Sequence, residues 1–105
     1  MSTPERINPH GTNGKVTSGD ALLVCAYDSD ERFKTVHLEG AISLSEFKSK
    51  LPSIPKDQEI VFYCALPDDG AAVREAAKYV EMGHENSRVL DGGVEAWKKA
   101  GYTLV

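Results

Sequence analysis

The chain has 105 residues, of which 41% are hydrophobic and 27% are charged, and its formal net charge is −4. This length fits one domain, and the composition is that of an ordinary globular protein. The 12 basic residues are scattered along the chain. A nucleic acid or an anionic membrane needs clustered Lys and Arg, so we expect neither as a partner.

We expect the chain in the cytosol, since its sequence contains neither a predicted membrane span nor a secretory signal. No segment approaches the run of about 18 apolar residues that a membrane span needs. Residues 1–14 are polar and lack the apolar stretch of a secretory signal. The two cysteines, Cys25 and Cys64, do not make a disulfide framework, and a reducing cytosol keeps them as thiols. The histidines are dispersed, and no Cys/His spacing predicts a metal site.

The first half of the chain predicts a lead-in followed by alternating elements. Residues 1–20 are polar, with several Gly and Pro, and predict a short strand near residues 6–7 and a frayed helix near Lys15. Residues 21–27 form a continuous apolar run, which is typical of a strand covered on both faces. Residues 28–34 predict a helical turn or two, with Asp28 or Ser29 as the N-cap. After the short apolar piece 41–44, residues 45–51 predict a helix that Pro52 stops.

The second half continues the alternation. A turn at residues 55–57 leads into residues 59–64, whose β-branched and aromatic residues favour a strand. A loop over 65–70 precedes a helix over about 71–82, which Gly83 ends. The apolar stripe of that helix is predicted to consist of Val73, Ala76, Ala77 and Val80. Residues 88–90 predict the last strand, and a turn over 91–93 opens a final helix that contains Val94, Ala96 and Trp97 and closes at Gly101.

Strands that alternate with helices favour a doubly wound α/β domain with a mainly parallel sheet and helices on both faces. Ligands of such sheets bind beyond the carboxyl ends of the strands. Cys64 is the last residue of the strand predicted at 59–64, and Cys25 lies near the carboxyl end of the strand predicted at 21–27. Both thiols are therefore expected at the ligand-binding edge.

Cys64 is the strongest candidate for chemistry. Backbone N–H groups of the following loop and the positive end of the next helix dipole favour thiolate, the reactive form of cysteine. Asp68 and Asp69 in that loop act against thiolate, unless they cap the helix instead. The competing interpretation is a small buried residue that ends a core strand. Position alone leaves both open.

Four stretches of the chain resemble the rhodanese-like domains of the single-domain sulfurtransferase type. They are residues 18–24 (SGDALLV), 33–42 (FKTVHLEGAI), 60–64 (IVFYC) and 90–102 (LDGGVEAWKKAGY), of which the last is the most specific. The resemblance covers residues 18–105 and implies a rhodanese-like sheet of about five strands. Residues 1–17 are expected to be a lead-in of the same domain.

The resemblance also implies a reaction. The family's cysteine, here Cys64, takes the outer sulfur of a sulfane donor as a persulfide and passes it to a nucleophile such as a small thiol or an acceptor protein. No metal or organic cofactor is implied. The implied active-site loop consists of Ala65, Leu66, Pro67, Asp68, Asp69 and Gly70, and the accessory candidates are Cys25, His37 and Arg74.

The loop departs from the family pattern in its charge. Many members carry Arg at the fifth position after the cysteine, where this chain has Asp69, and the next Arg is Arg74. Coulomb repulsion then disfavours the thiosulfate dianion and favours a less charged persulfide donor. Related phosphatases use Cys-x5-Arg, and the sixth position here is Gly70, which argues against phosphatase activity.

Two further functions stay open beside sulfur transfer. The domain could be a non-catalytic binding or regulatory module whose acidic loop faces a partner. It could also be a thiol redox sensor in which Cys25 resolves an oxidised Cys64. For Cys25 we favour a simple buried residue, and for His37 a structural role in fixing a turn.

Overall fold

Five parallel strands form one sheet at the centre of the computed structural model, which describes residues 4–26, 30–35, 37–64 and 70–105. The strand order is β1-β5-β4-β2-β3. The strands are β1 (Glu5–Ile7), β2 (Ala21–Cys25), β3 (Ala41–Ile42), β4 (Glu59–Tyr63) and β5 (Ser87–Leu90). The helices are α1 (Pro9–Ser18), α2 (Asp30–Thr35), α3 (Leu44–Lys50), α4 (Gly70–Glu81) and α5 (Gly93–Lys99), with a 3-10 turn at Leu51–Ser53. The predicted parallel α/β sheet is confirmed.

The sheet is buried on both faces, as the continuous apolar runs of β2 and β4 predict. Because side chains alternate along a strand, the core divides into two clusters. The cluster that we call the Cys64 face contains Val24, Ala26, Leu44, Phe47, Ile60, Phe62, Cys64, Ala72, Ala76, Tyr79 and Val89. The cluster that we call the Cys25 face contains Leu23, Cys25, Leu38, Val61, Tyr63, Leu90 and Trp97. Helices α3 and α4 therefore cover the Cys64 face, whereas α5 covers the Cys25 face.

The N-terminal segment is more regular than the sequence predicts. The strand expected near residues 6–7 is β1, which pairs with β5 at the sheet edge. The helix expected near Lys15 is a ten-residue helix. The Asn8 side chain caps it by accepting from the Gly11 N–H, and Gly19, in the left-handed conformation that favours glycine, ends it. The two caps therefore stabilise a helix that the weak apolar pattern of this segment does not predict.

Ion pairs tie this segment to the amino end of the sheet. Lys15 Nζ lies 2.9 Å from Glu59 Oε1, and Arg88 Nε lies 2.9 Å from Glu59 Oε2. Arg88 also pairs with Glu5 on β1. One carboxylate at the start of β4 therefore joins α1 and β5.

Several predicted boundaries shift by one or two residues. Strand β2 ends at Cys25, and Tyr27 and both predicted caps, Asp28 and Ser29, lie outside the described residues. Helix α3 begins at Leu44, because the Ser43 side chain accepts from the Glu46 N–H. Strand β4 ends at Tyr63, so that Cys64 follows the strand instead of closing it.

The predicted stripe of α4 is confirmed at Ala76, which is buried, and at Val73, which is partly buried and packs against the Cys64 face; Ala77 and Val80 are not part of that cluster. The buried residues of the helix are Ala72, Ala76 and Tyr79, whereas Val73, Ala77 and Val80 are only partly buried. The reason is aromatic packing: the Tyr79 ring lies 5.0 Å from the Phe47 ring and 5.7 Å from the Phe62 ring. A large ring at position 79 turns this side of the helix towards the sheet.

Glycine is required where β5 turns into α5. Gly92 has φ 78°, and a Cβ built on it would lie 2.5 Å from the Cβ of Ala96. Gly93 also has a positive φ of 58°. Both the backbone conformation and the close approach therefore favour glycine at the turn that begins α5.

None of the helices in the described part of the chain is long and apolar enough to cross a membrane.

Candidate functional site

Cys64 lies at the carboxyl edge of the sheet, directly after β4. The Ala26 N–H donates to the Tyr63 carbonyl at 2.7 Å, which extends the pairing of the two central strands to their ends. A Cβ built on Gly93 would lie 3.7 Å from the Cys64 carbonyl oxygen, so the turn before α5 packs beside this position. The Cys64 residue is only 2% exposed. The site is therefore a buried thiol at the edge where ligands of parallel sheets bind.

The loop predicted to surround the thiol lies almost wholly outside the described residues. Those residues are Ala65, Leu66, Pro67, Asp68 and Asp69, whereas Gly70 opens α4. Arg74 lies on α4 and is exposed. The roles of the loop and of Arg74 in a site at Cys64 stay predictions.

Cys25 lies on the strand next to Cys64, as the topology predicts, but it faces the other way. It pairs in register with Tyr63, so Cys64 is one step further along the neighbouring strand. Cys25 packs on one face of the sheet and Cys64 on the other. A disulfide needs Cβ atoms about 3.5–4.5 Å apart with converging bonds. A bond between the two thiols would therefore require the backbone to move, which argues against the redox-sensor alternative.

Tyr63 joins Cys25 to the segment after α2. The Leu38 N–H donates to the Tyr63 hydroxyl at 3.3 Å, and that hydroxyl is also hydrogen-bonded to the Cys25 side chain. Burial raises the pKa of Tyr63 well above its usual value, and the charge that Cys25 would carry as a thiolate raises it further. Tyr63 is therefore a neutral phenol that fixes the geometry of the Cys25 face.

His37 is held by contacts with α2 and with the C-terminal segment. Its Nδ1 lies 2.7 Å from the Phe33 carbonyl oxygen, and its ring stacks on the Phe33 ring with centroids 4.0 Å apart. Its backbone N–H and C=O both bond to Val105 at 2.8 Å. The residue therefore connects α2 to the C-terminal segment and does not lie on the Cys64 face.

A second feature near the edge is a cleft of about 300 Å³ beside α5, which we call the α5 cleft. Its lining residues are His37, Leu38, Tyr63, Val94, Glu95, Lys98 and Leu104. The sequence gives no signal for it, since the cleft forms only when three distant segments meet. Among the described residues no group of three or more His, Cys, Asp or Glu is placed to hold a metal ion.

Comparison with known proteins agrees with this arrangement. The family model described as "Rhodanese-like domain" matches residues 17–100. The BH2092 protein of Bacillus halodurans is 23% identical with a TM-score of 0.78, over 96% of this chain and 76% of that one. The rhodanese-like domain of the Alr3790 protein from Anabaena sp. is 20% identical with a TM-score of 0.77, over 100% of this chain and 80% of that one.

A third similar structure is a thiosulfate sulfurtransferase from Pseudomonas aeruginosa. It is 21% identical with a TM-score of 0.79, over 95% of this chain. This chain covers only 19% of that protein. At this level of identity the similar structures establish the shared fold but not the reaction.

Proposed function

The chain belongs to the rhodanese-like domain family, and we propose that it forms a persulfide on Cys64 and passes the sulfur to a thiol or another nucleophile. The observation that carries the proposal is the position of Cys64. It follows the central strand β4 at the carboxyl edge of the sheet, inside the part of the chain that the family model matches. The proposal also places the protein in the cytosol, where small thiols are available as acceptors.

The reaction has two half-steps. The Cys64 thiolate attacks the outer sulfur of a persulfide donor, a sulfur–sulfur bond forms on Cys64, and the donor's own sulfur–sulfur bond breaks. The donor leaves as a thiolate. An acceptor thiolate then attacks the outer sulfur on Cys64, takes it as a new persulfide, and regenerates the Cys64 thiolate. The sulfane sulfur moves without an external oxidant, which makes this covalent nucleophilic catalysis.

The charge of the loop supports a persulfide as the donor. Asp68 and Asp69 follow Cys64 in sequence, and the stretch 65–69 contains no Lys or Arg. Thiosulfate carries two negative charges and is repelled more strongly by carboxylates than a singly charged persulfide sulfur is. The thiosulfate sulfurtransferase of P. aeruginosa shares the fold, but its donor does not suit this loop.

The test is a turnover assay with glutathione persulfide and thiosulfate as parallel donors and a small thiol as acceptor. We expect faster turnover with the persulfide, no turnover for Cys64→Ser, and retained turnover for Cys25→Ser. Asp69→Arg should raise the rate with thiosulfate more than the rate with the persulfide. No turnover with either donor on folded protein would refute the proposal.

A second candidate is a non-catalytic binding module of the same fold. The burial of Cys64, at 2% exposure, is the observation that favours it, because a reactive thiol needs access to its donor. The rate at which iodoacetamide alkylates Cys64 in folded protein separates the two. Labelling only after unfolding would favour the binding module.

A further inference from the structure

The α5 cleft is separate from the thiol at Cys64. Tyr63 forms its inner wall, and because side chains alternate along the strand, Cys64 points to the other face of the sheet. Its volume of about 300 Å³ is at the lower end of the range in which proteins bind small molecules. The cleft is therefore large enough for a small ligand, and that ligand would not be in position to react with Cys64.

The body of the cleft is apolar. Leu38 is fully buried at its base, and Val94 and Leu104 are partly buried beside it. The Tyr63 hydroxyl is already engaged by the Leu38 N–H and by Cys25. These apolar walls favour a short aliphatic group, and the body of the cleft has no unsatisfied polar group among its described residues.

The mouth of the cleft carries one charge of each sign. Glu95 and Lys98 lie three residues apart on α5, which places them on the same side of the helix. Both side chains are exposed, and neither forms an ion pair with another residue in the described ranges. They are therefore available to a ligand.

His37 adds one hydrogen-bond acceptor. Its Nδ1 is within hydrogen-bond distance of the Phe33 carbonyl oxygen. Because a carbonyl oxygen can only accept a hydrogen bond, Nδ1 is the donor and carries the proton. In the neutral ring Nε2 is then an acceptor without a partner among the described residues. The polar groups of the cleft thus comprise one cation, one anion and Nε2 of the His37 ring.

We propose that the α5 cleft binds a small zwitterionic amino acid with an aliphatic side chain. The side chain packs against Leu38, Val94 and Leu104, the carboxylate pairs with Lys98, and the ammonium donates to Glu95 and to His37 Nε2. A ligand with one charge only would meet attraction from one of the two side chains at the mouth and repulsion from the other. A zwitterion satisfies both.

The test is a titration of the full chain with L-leucine, followed by amide shifts in two-dimensional NMR spectra. Two matched probes are 4-methylpentanoate, which lacks the ammonium, and isopentylamine, which lacks the carboxylate. We expect L-leucine to shift the amides of Leu38, Val94, Lys98 and Leu104, and each matched probe to bind more weakly. Exposed ion pairs contribute little, so K98M and E95Q should each weaken binding of L-leucine by up to about fivefold.

The matched control is K99M, which removes the neighbouring exposed lysine outside the cleft. It should bind L-leucine as the unchanged chain does. Spectra that show each variant folded make the comparison independent of stability. The proposal is overturned if L-leucine leaves the cleft amides unshifted, if all three probes bind equally, or if K99M weakens binding as much as K98M. Because the readout is binding, it is independent of sulfur transfer at Cys64.

Discussion

Cys25 and Cys64 lie on neighbouring strands at one edge of the sheet, but they belong to opposite faces. The two faces are stabilised by different kinds of contact. On the Cys64 face the rings of Phe47, Phe62 and Tyr79 pack with centroids 5.0–5.7 Å apart. The Cys25 face contains directed hydrogen bonds, in which the Leu38 N–H donates to the Tyr63 hydroxyl. The comparison shows that burial alone does not assign a thiol's role. Cys25 belongs to a hydrogen-bonded framework, whereas Cys64 packs among apolar side chains.

The largest expected effect comes from breaking the aromatic packing of the Cys64 face. Phe62→Ala should lower the free energy of unfolding by about 3–5 kcal/mol, because it removes one of the three packed rings, which is fully buried, and leaves a cavity. Urea unfolding monitored by circular dichroism measures this loss. Phe62→Leu keeps most of the volume and is the matched control, with a smaller loss. Equal losses for the two variants would show that the ring packing does not hold this face.

The sequence predicts those features of the two faces that depend on local patterns, and it does not predict those that depend on contacts between distant residues. The apolar runs of β2 and β4 and the alternation of strands and helices are local patterns, and they predict the parallel sheet and place both thiols at its carboxyl edge. The faces of the thiols depend on register: Cys25 pairs with Tyr63 rather than with Cys64. A shift of one residue would place them on the same face, and no local pattern specifies it.

Contacts between distant segments were missed for the same reason. Aliphatic spacing alone does not predict that Tyr79 faces the sheet, where it packs on Phe47 from α3 and on Phe62 from β4. The α5 cleft combines residues from position 37 to position 104. Such groups carry no spacing signal that a single sequence could reveal.

A smaller effect should follow from removing one directed bond on the Cys25 face. Tyr63→Phe keeps the ring but leaves the Leu38 N–H without its acceptor, and an unsatisfied buried donor costs about 1–3 kcal/mol. Urea unfolding should show that loss. Tyr102→Phe, which removes a partly buried hydroxyl that contacts the exposed His10, is the control and should cost less. A Tyr63→Phe variant as stable as the parent would mean that the hydrogen bonds do not distinguish the two faces.

The smallest expected effect is a dependence of stability on pH that is caused by His84, which lies beside Tyr79. His84 is buried, its ring lies 6.3 Å from the Tyr79 ring, and its pKa is lowered, first by burial and then by the positive charge of Lys56. Because the folded state binds the proton less readily than the unfolded state, the contribution of neutral His84 is fully present above the unfolded pKa of about 6.5 and is lost as pH falls below it.

This dependence is measured by urea unfolding at pH 7.5 and pH 5.5. His84→Gln should lose less stability over that interval than the unchanged chain, because the variant has no imidazole to protonate at this position. His10→Gln changes an exposed imidazole and is the control. If both variants lose as much stability as the unchanged chain, His84 is not the group that titrates.

The most direct test of persulfide formation on Cys64 is to locate sulfur on the two thiols. Folded protein is treated with glutathione persulfide, the remaining thiols are blocked, and the peptides that contain Cys25 and Cys64 are measured separately by mass spectrometry. We predict one added sulfur atom on the Cys64 peptide and none on the Cys25 peptide, with the same Cys64 adduct in Cys25→Ser. Sulfur on Cys25 in folded protein, or on neither thiol, would contradict this prediction.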